Sequence, residues 1–145
     1  MQTSGILVVV WIVFRTIGAA GFMLFATWKS AFPYAFAVML GFTAAAHFNH
    51  RRKDLQAMVP RWILDPAMVV YITGILELAG AAGLLFRFTR PLAVAGLVIL
   101  LIGMFPANLK AAREHLMIGG KPATPLALRA LIQVVFILLL VWCVV

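Results

Sequence analysis

Apolar residues gather in five stretches, at about residues 6–27, 33–48, 66–86, 91–108 and 125–145, and most charges fall between them. About 20 apolar residues in a helix, at 1.5 Å each, match the hydrocarbon thickness of a bilayer, so the pattern predicts membrane-crossing helices. Helix starts are well marked. Asp65-Pro66 and Thr124-Pro125 each place a capping side chain before a proline at the first helical position, and Thr89 precedes Pro91 as a candidate cap for the fourth helix. The second stretch is the shortest, and its sixteen residues reach only about 24 Å.

The connections differ in kind. Residues 86–90 read as a tight turn. Residues 50–65 are longer and basic, with Val59-Pro60 breaking the helical pattern and Trp62 placed as an interfacial anchor. After Asn108 the helical pattern continues out of the apolar zone through Leu109-Lys110-Ala111-Ala112-Arg113 and stops at Gly119-Gly120, a left-handed cap or tight turn. In a five-span order the two long connections share one side. That side carries Arg51, Arg52, Lys53, Arg61, Lys110, Arg113 and Lys121; the other carries Lys29, Arg87 and Arg90. Seven cations against three predict the first side, and the N-terminus, to be cytoplasmic and the C-terminus extracytoplasmic.

Composition agrees with this class. Apolar residues are 65% and charged residues 11% of the 145, more apolar surface than a soluble domain of this length can hide. The expectation is a single all-α domain over residues 1–145, a polytopic transmembrane helical bundle of five spans. The net charge of +8 places cationic loops against anionic headgroups. It does not read as a nucleic-acid surface, because no basic patch interleaves with exposed aromatics. Residues 1–5 carry no Lys or Arg and Arg15 interrupts the apolar run, so the first stretch reads as a retained helix rather than a cleaved signal. Cys143 is the single cysteine, which excludes an internal disulfide, a Cys-x-x-Cys pair and a cysteine-rich metal site; it reads as a small lipid-facing residue. No internal repeat or low-complexity segment stands out.

Chemistry can sit only on the few polar groups inside the apolar stretches. Glu77 is the sole charge in residues 68–86, where an ionisable group costs roughly 2.5–3.5 kcal/mol to insert. Arg15 interrupts the first stretch. Counted from the cytoplasmic ends of their helices, both lie at about 14–17 Å depth, which makes a buried Arg15–Glu77 pair available. Gly18, Ala19, Gly74 and Ala81 are small enough to let the two helices approach. The plain alternative is a pair that only fixes helix register.

Further polar groups fall in the same half: His47, Tyr71 and Thr73, Asn108, then Arg129 and Gln133. Pro106 has no N–H to give the Ile102 carbonyl, which leaves that oxygen for a ligand, water or side chain. The expectation is a cavity below Glu77, walled by Tyr71 and Phe105 and open toward the cytoplasm. Its ligand-binding candidates are Arg15, His47, Tyr71, Glu77, Asn108 and Gln133. Taken singly, His47 also reads as a snorkelling interfacial residue and Asn108 as a helix cap, with His50 and His115 solvated. A bis-histidine haem lacks its second histidine, and one Glu with one His makes too few metal ligands.

Several stretches resemble the DoxX-like family of small bacterial integral membrane proteins. They are His47-Phe48 with Met58-Val59-Pro60, Thr73-Gly74-Ile75-Leu76-Glu77-Leu78-Ala79-Gly80, Gly83-Leu84-Leu85, Met104-Phe105-Pro106-Ala107-Asn108, Ala111-Ala112-Arg113, and Gly119-Gly120-Lys121-Pro122-Ala123-Thr124-Pro125. The resemblance covers about residues 36–145. It implies a four-helix membrane core, here preceded by an N-terminal helix, in the bacterial plasma membrane. It also implies association with redox complexes, including thiosulfate:quinone oxidoreduction, but assigns no catalytic residue.

Three functions follow as expectations. The first is a membrane subunit of a redox process that binds a quinone or similar amphipathic molecule, with His47, Tyr71 and Glu77 as hydrogen-bonding or proton-relaying groups and a redox protein as partner. Arg15 would then keep Glu77 ionised or stabilise an anionic ligand. The second is a small-molecule permease or exporter, and the third a structural or assembly subunit of a larger complex.

Overall fold

The computed structural model describes residues 2–145, with side chains from residue 4 onward. The chain is mostly helical. Its helices are α1 (Gln2–Ala19), α2 (Trp28–Phe48), α3 (Arg52–Met58), α4 (Pro66–Leu85), α5 (Arg90–Gly103), α6 (Phe105–Arg113) and α7 (Leu126–Trp142). Among the described residues, three units are long and apolar enough to cross a membrane: α2, α4, and α5 with α6 taken together, Arg90–Arg113. The apolar helices α1 and α7 are shorter.

Local chemistry explains where the boundaries fall. α2 starts five residues before Pro33, because Thr27 and Ser30 form a reciprocal cap. The Ser30 N–H donates to Thr27 Oγ1 and the Thr27 N–H to Ser30 Oγ, each at 3.1 Å. Pro33 is therefore inside the helix rather than at its start, and it is fully buried there. The 21 residues of α2 reach about 32 Å, which corrects the short second segment expected from sequence. α1 shows the opposite error. It ends at Ala19 instead of running on to residue 27, and the chain turns at Gly21 with φ of 113°. A single 3-10 turn, Met23–Phe25, then folds back so closely that a Cβ on Gly18 would overlap the Phe25 carbonyl.

The Asp65 cap is present: its Oδ1 accepts the Met68 N–H at 2.9 Å, ahead of Pro66 in the first turn of α4. Thr89 does not cap α5 with its side chain. Its hydroxyl instead donates to the Gly83 carbonyl at 2.8 Å, satisfying the open end of α4. Thr124 is not a side-chain cap either; Pro125 occupies that position, and the Thr124 carbonyl accepts from Arg129 Nε at 3.2 Å. The fourth apolar stretch breaks between α5 and α6 at Met104, with Pro106 in the first turn that follows. Gly119 and Gly120, at φ of 58° and 75°, make the turn of a small hairpin pairing Met117–Ile118 with Lys121–Pro122.

α2 packs against both α1 and α4, α4 against α5, and α7 against α5 and α6. One end of the bundle joins the two long connections. Lys110 Nζ donates to the Ala57 and Val59 carbonyls at 2.7 and 2.8 Å, and the Gly119 N–H donates to Asp54 Oδ2 at 2.8 Å. At the opposite end the Arg90 guanidinium lies 5.6 Å from the Tyr34 ring. Most of the core gathers toward that opposite end. Phe32 and Phe36 of α2, Leu84 of α4, Val94 and Leu97 of α5 and Leu140 of α7 meet there, with Trp11 of α1 edge-on to Phe32. Cys143 is buried in the same cluster rather than facing outward. Packing is tight at one end and slack at the other, and the slack end holds the cavity described next.

Candidate functional site

The site is built on the crossing of α2 and α4. Gly74 makes the close approach possible: a Cβ there would lie 2.7 Å from His47 Cβ and 3.0 Å from a Phe48 ring carbon. On α2, Thr43 and His47 are four residues apart and share a face; on α4, Thr73 and Glu77 do the same. The two faces oppose each other. Glu77 and His47 are 6% and 7% exposed, and they are the buried polar side chains of the described residues.

Their contacts fix their roles. His47 Nδ1 lies 2.7 Å from the Val70 carbonyl, which can only accept, so Nδ1 carries a proton. Nε2 then faces Glu77 Oε1 at 3.5 Å. The other carboxylate oxygen, Oε2, is 3.0 Å from the Thr43 hydroxyl, which is also 3.0 Å from the Leu40 carbonyl. Thr73 adds its hydroxyl beside the Val70 carbonyl at 3.0 Å. Each buried polar atom of the pair thus has a partner, as burial in apolar surroundings requires.

This group sits in the wall of a cavity of about 890 Å³, bounded by α2, α4, α5 and α6 with α3 and the 59–63 segment at the slack end. The wall is otherwise mainly apolar. Phe42 and Ile99 line it and expose 63% and 70% of their surface. Arg51 and Trp62 line it at the loop end.

The expected site residues divide. His47, Glu77 and Asn108 line the cavity; Arg15, Tyr71, Gln133 and Phe105 do not. The Arg15–Glu77 pair is not formed. Because α1 is short, Arg15 lies one turn from its end, over the Trp28 ring at 5.9 Å, and its Nε has no hydrogen-bond partner. Glu77 takes its partners from α2 instead. Tyr71 points away, half exposed and edge-on to Phe48. Gln133 reaches the site only through Asn108, whose Nδ2 donates to Gln133 Oε1 at 3.2 Å while its Oδ1 accepts from Arg129 Nη1 at 2.9 Å. Asn108 is therefore held from α7 and lies inside α6, not at a helix end. The Ile102 carbonyl shares the Met104 N–H with Leu100 and is not left wholly to a ligand. Thr43 was not legible as a site residue. Its four-residue spacing from His47, matching that of Thr73 and Glu77, is the signal that could have found it.

The chain belongs to a family described as a domain of unknown function, DUF8561, which matches residues 36–144. No curated protein and no solved structure matches the chain. The matched region begins in α2 and includes both halves of the Thr43–His47 and Thr73–Glu77 crossing, while α1 lies outside it.

Proposed function

We propose that this protein is a five-span helical bundle of the bacterial plasma membrane that binds a quinone or similar amphipathic molecule and serves a redox process. One observation carries the reading: a buried carboxyl–imidazole–hydroxyl group in the wall of a mainly apolar cavity of about 890 Å³. That volume lies within the ~300–1,000 Å³ range of small-molecule sites, and a few convergent polar groups in an apolar wall suit an amphipathic head group. Entry beside Phe42 and Ile99, the exposed apolar residues of the wall, suits a ligand that arrives from lipid. In this reading α1 and α7 complete the five spans, the end holding α3 and the hairpin faces the cytoplasm, and a redox protein supplies or removes electrons. The DoxX-like motifs support the same class, and the permease reading draws on Arg51 and Trp62, which line the cavity at the loop end.

The experiment is purification in mild detergent followed by extraction and mass analysis of bound lipophiles. A quinone-type molecule should co-purify with the wild type and be lost from His47→Ala and Asn108→Ala, with both variants still folded. A chain that retains no lipophile but carries a solute across liposomes is a permease. A chain that retains only a stoichiometric protein partner is an assembly subunit. Either result overturns the proposal.

A further inference from the structure

The hydrogen bonds around Glu77 and His47 define how many protons the pair can hold. Nδ1 is committed to the Val70 carbonyl. With no further proton, a bare Nε2 lone pair would face an ionised Oε1 at 3.5 Å, two acceptors with nothing between them. With one further proton the pair is satisfied as imidazolium and carboxylate, or as imidazole and carboxylic acid, and its net charge is zero. With two, the imidazolium keeps Nε2–H and the carboxyl carries its own proton.

Thr43 makes the second proton acceptable. While Glu77 is ionised, the Thr43 hydroxyl donates to Oε2 across 3.0 Å. Once Oε2 is protonated, that same contact reverses. Oε2–H donates to Oγ1, and the Thr43 proton turns to the Leu40 carbonyl, also 3.0 Å away. No heavy atom has to move. Arg51 is the only other titratable residue in the lining among the described residues; α1, α3, α5 and α6 contribute none to it.

We propose that the His47–Glu77 pair is a proton acceptor that holds one proton at rest and takes a second from an uncharged O–H acid with an apolar body, of the phenol or hydroquinone class. This rests on the reading of the cavity as an amphipathic ligand site. The ligand enters neutral, which an apolar cavity favours. Its O–H bond breaks and a carboxyl O–H bond forms on Glu77. The pair goes from zero to one positive charge and the ligand from zero to one negative, so the cavity stays neutral overall. No electron moves in this step. The remaining imidazolium stands beside the ligand anion and stabilises it.

Two measurements test this on the full chain in lipid nanodiscs. The first needs no ligand: nitrogen NMR of labelled histidine together with carbon NMR of labelled glutamate near neutral pH. The expected result is a single proton shared between His47 Nε2 and the Glu77 carboxyl, with Nδ1 protonated throughout. A neutral His47 with bare Nε2 beside an ionised Glu77 overturns the proposal. The second uses 4-nitrophenol carrying an octyl chain, which is coloured only as the phenolate. It is added at a pH where protein-free nanodiscs leave it colourless. The wild type should bind it and show the phenolate band in proportion to bound probe, and whatever probe His47→Gln retains should show no phenolate band. Probe bound but colourless in the wild type, or coloured in His47→Gln, overturns the proton transfer and leaves the cavity standing. Probe that does not bind overturns the cavity reading and this proposal with it.

Discussion

At the residue scale, Glu77 has two partners on α2, with Thr43 at 3.0 Å and His47 at 3.5 Å, and Arg15 is not among its neighbours. Double-mutant cycles in detergent should separate these cases. His47→Gln with Glu77→Gln should show a coupling energy in the range of about 0.5–3 kcal/mol, because each single change leaves the other group buried with a lost partner. Arg15→Met with Glu77→Gln should be additive within about 0.5 kcal/mol. Thermal unfolding of the five variants and the wild type reads both, and strong coupling of Arg15 would reverse the assignment. That Glu77 would be buried and partnered was legible, since an ionisable group deep in an apolar helix has few other fates. Which residue would partner it was not. The answer depends on α1 stopping at Ala19, and the turn that stops it is set by how closely Gly18 lets residues 23–25 return.

Among the elements, α6 is tied to the α3 segment by one side chain. Lys110 Nζ holds the Ala57 and Val59 carbonyls, and Val59 is 5% exposed, so water cannot easily take the place of the ammonium. Lys110→Met should cost about 1 kcal/mol, enough to raise the population of locally open chain roughly fivefold. Limited proteolysis within residues 114–125 should speed up accordingly, with the helical content unchanged. Equal cleavage rates would show that the tie contributes nothing. Helix existence was read correctly from apolar run length for every long element, and the Asp65-Pro66 start held. The start of α2 was missed where Pro33 was taken as punctuation. Pro33 sits in the second turn of α2, where the Thr27–Ser30 cap had already set the start. A cap is a local hydrogen-bonding fact, whereas a proline only forbids one donor.

For the whole molecule, both long connections lie at one end and carry most of the basic residues. With five spans, a reporter fused after Val145 should read as extracytoplasmic and one placed in the 49–51 loop as cytoplasmic. A cytoplasmic reading at Val145 would reduce the spans to four and reverse the proposed orientation. The shared end was legible from segment order alone. A cavity in that half was expected from the polar groups that gather there; how the helices make room for it was not, because no single helix carries it. It arises where α5 ends at Gly103, α6 begins anew and α7 leans on both, so that the helices close around Phe36 and Leu84 but stand apart around Glu77.

Under the proposed function, entry beside Phe42 and Ile99 changes what affinity means for this site. A molecule entering there would already be dissolved in the membrane, so the concentration that matters would be its mole fraction among lipids. Halving the lipid at constant total ligand would double that fraction for a strongly partitioning compound and fill more sites. Titrations expressed per litre of buffer would then disagree between preparations, while the same data expressed per mole of lipid would fall on one curve.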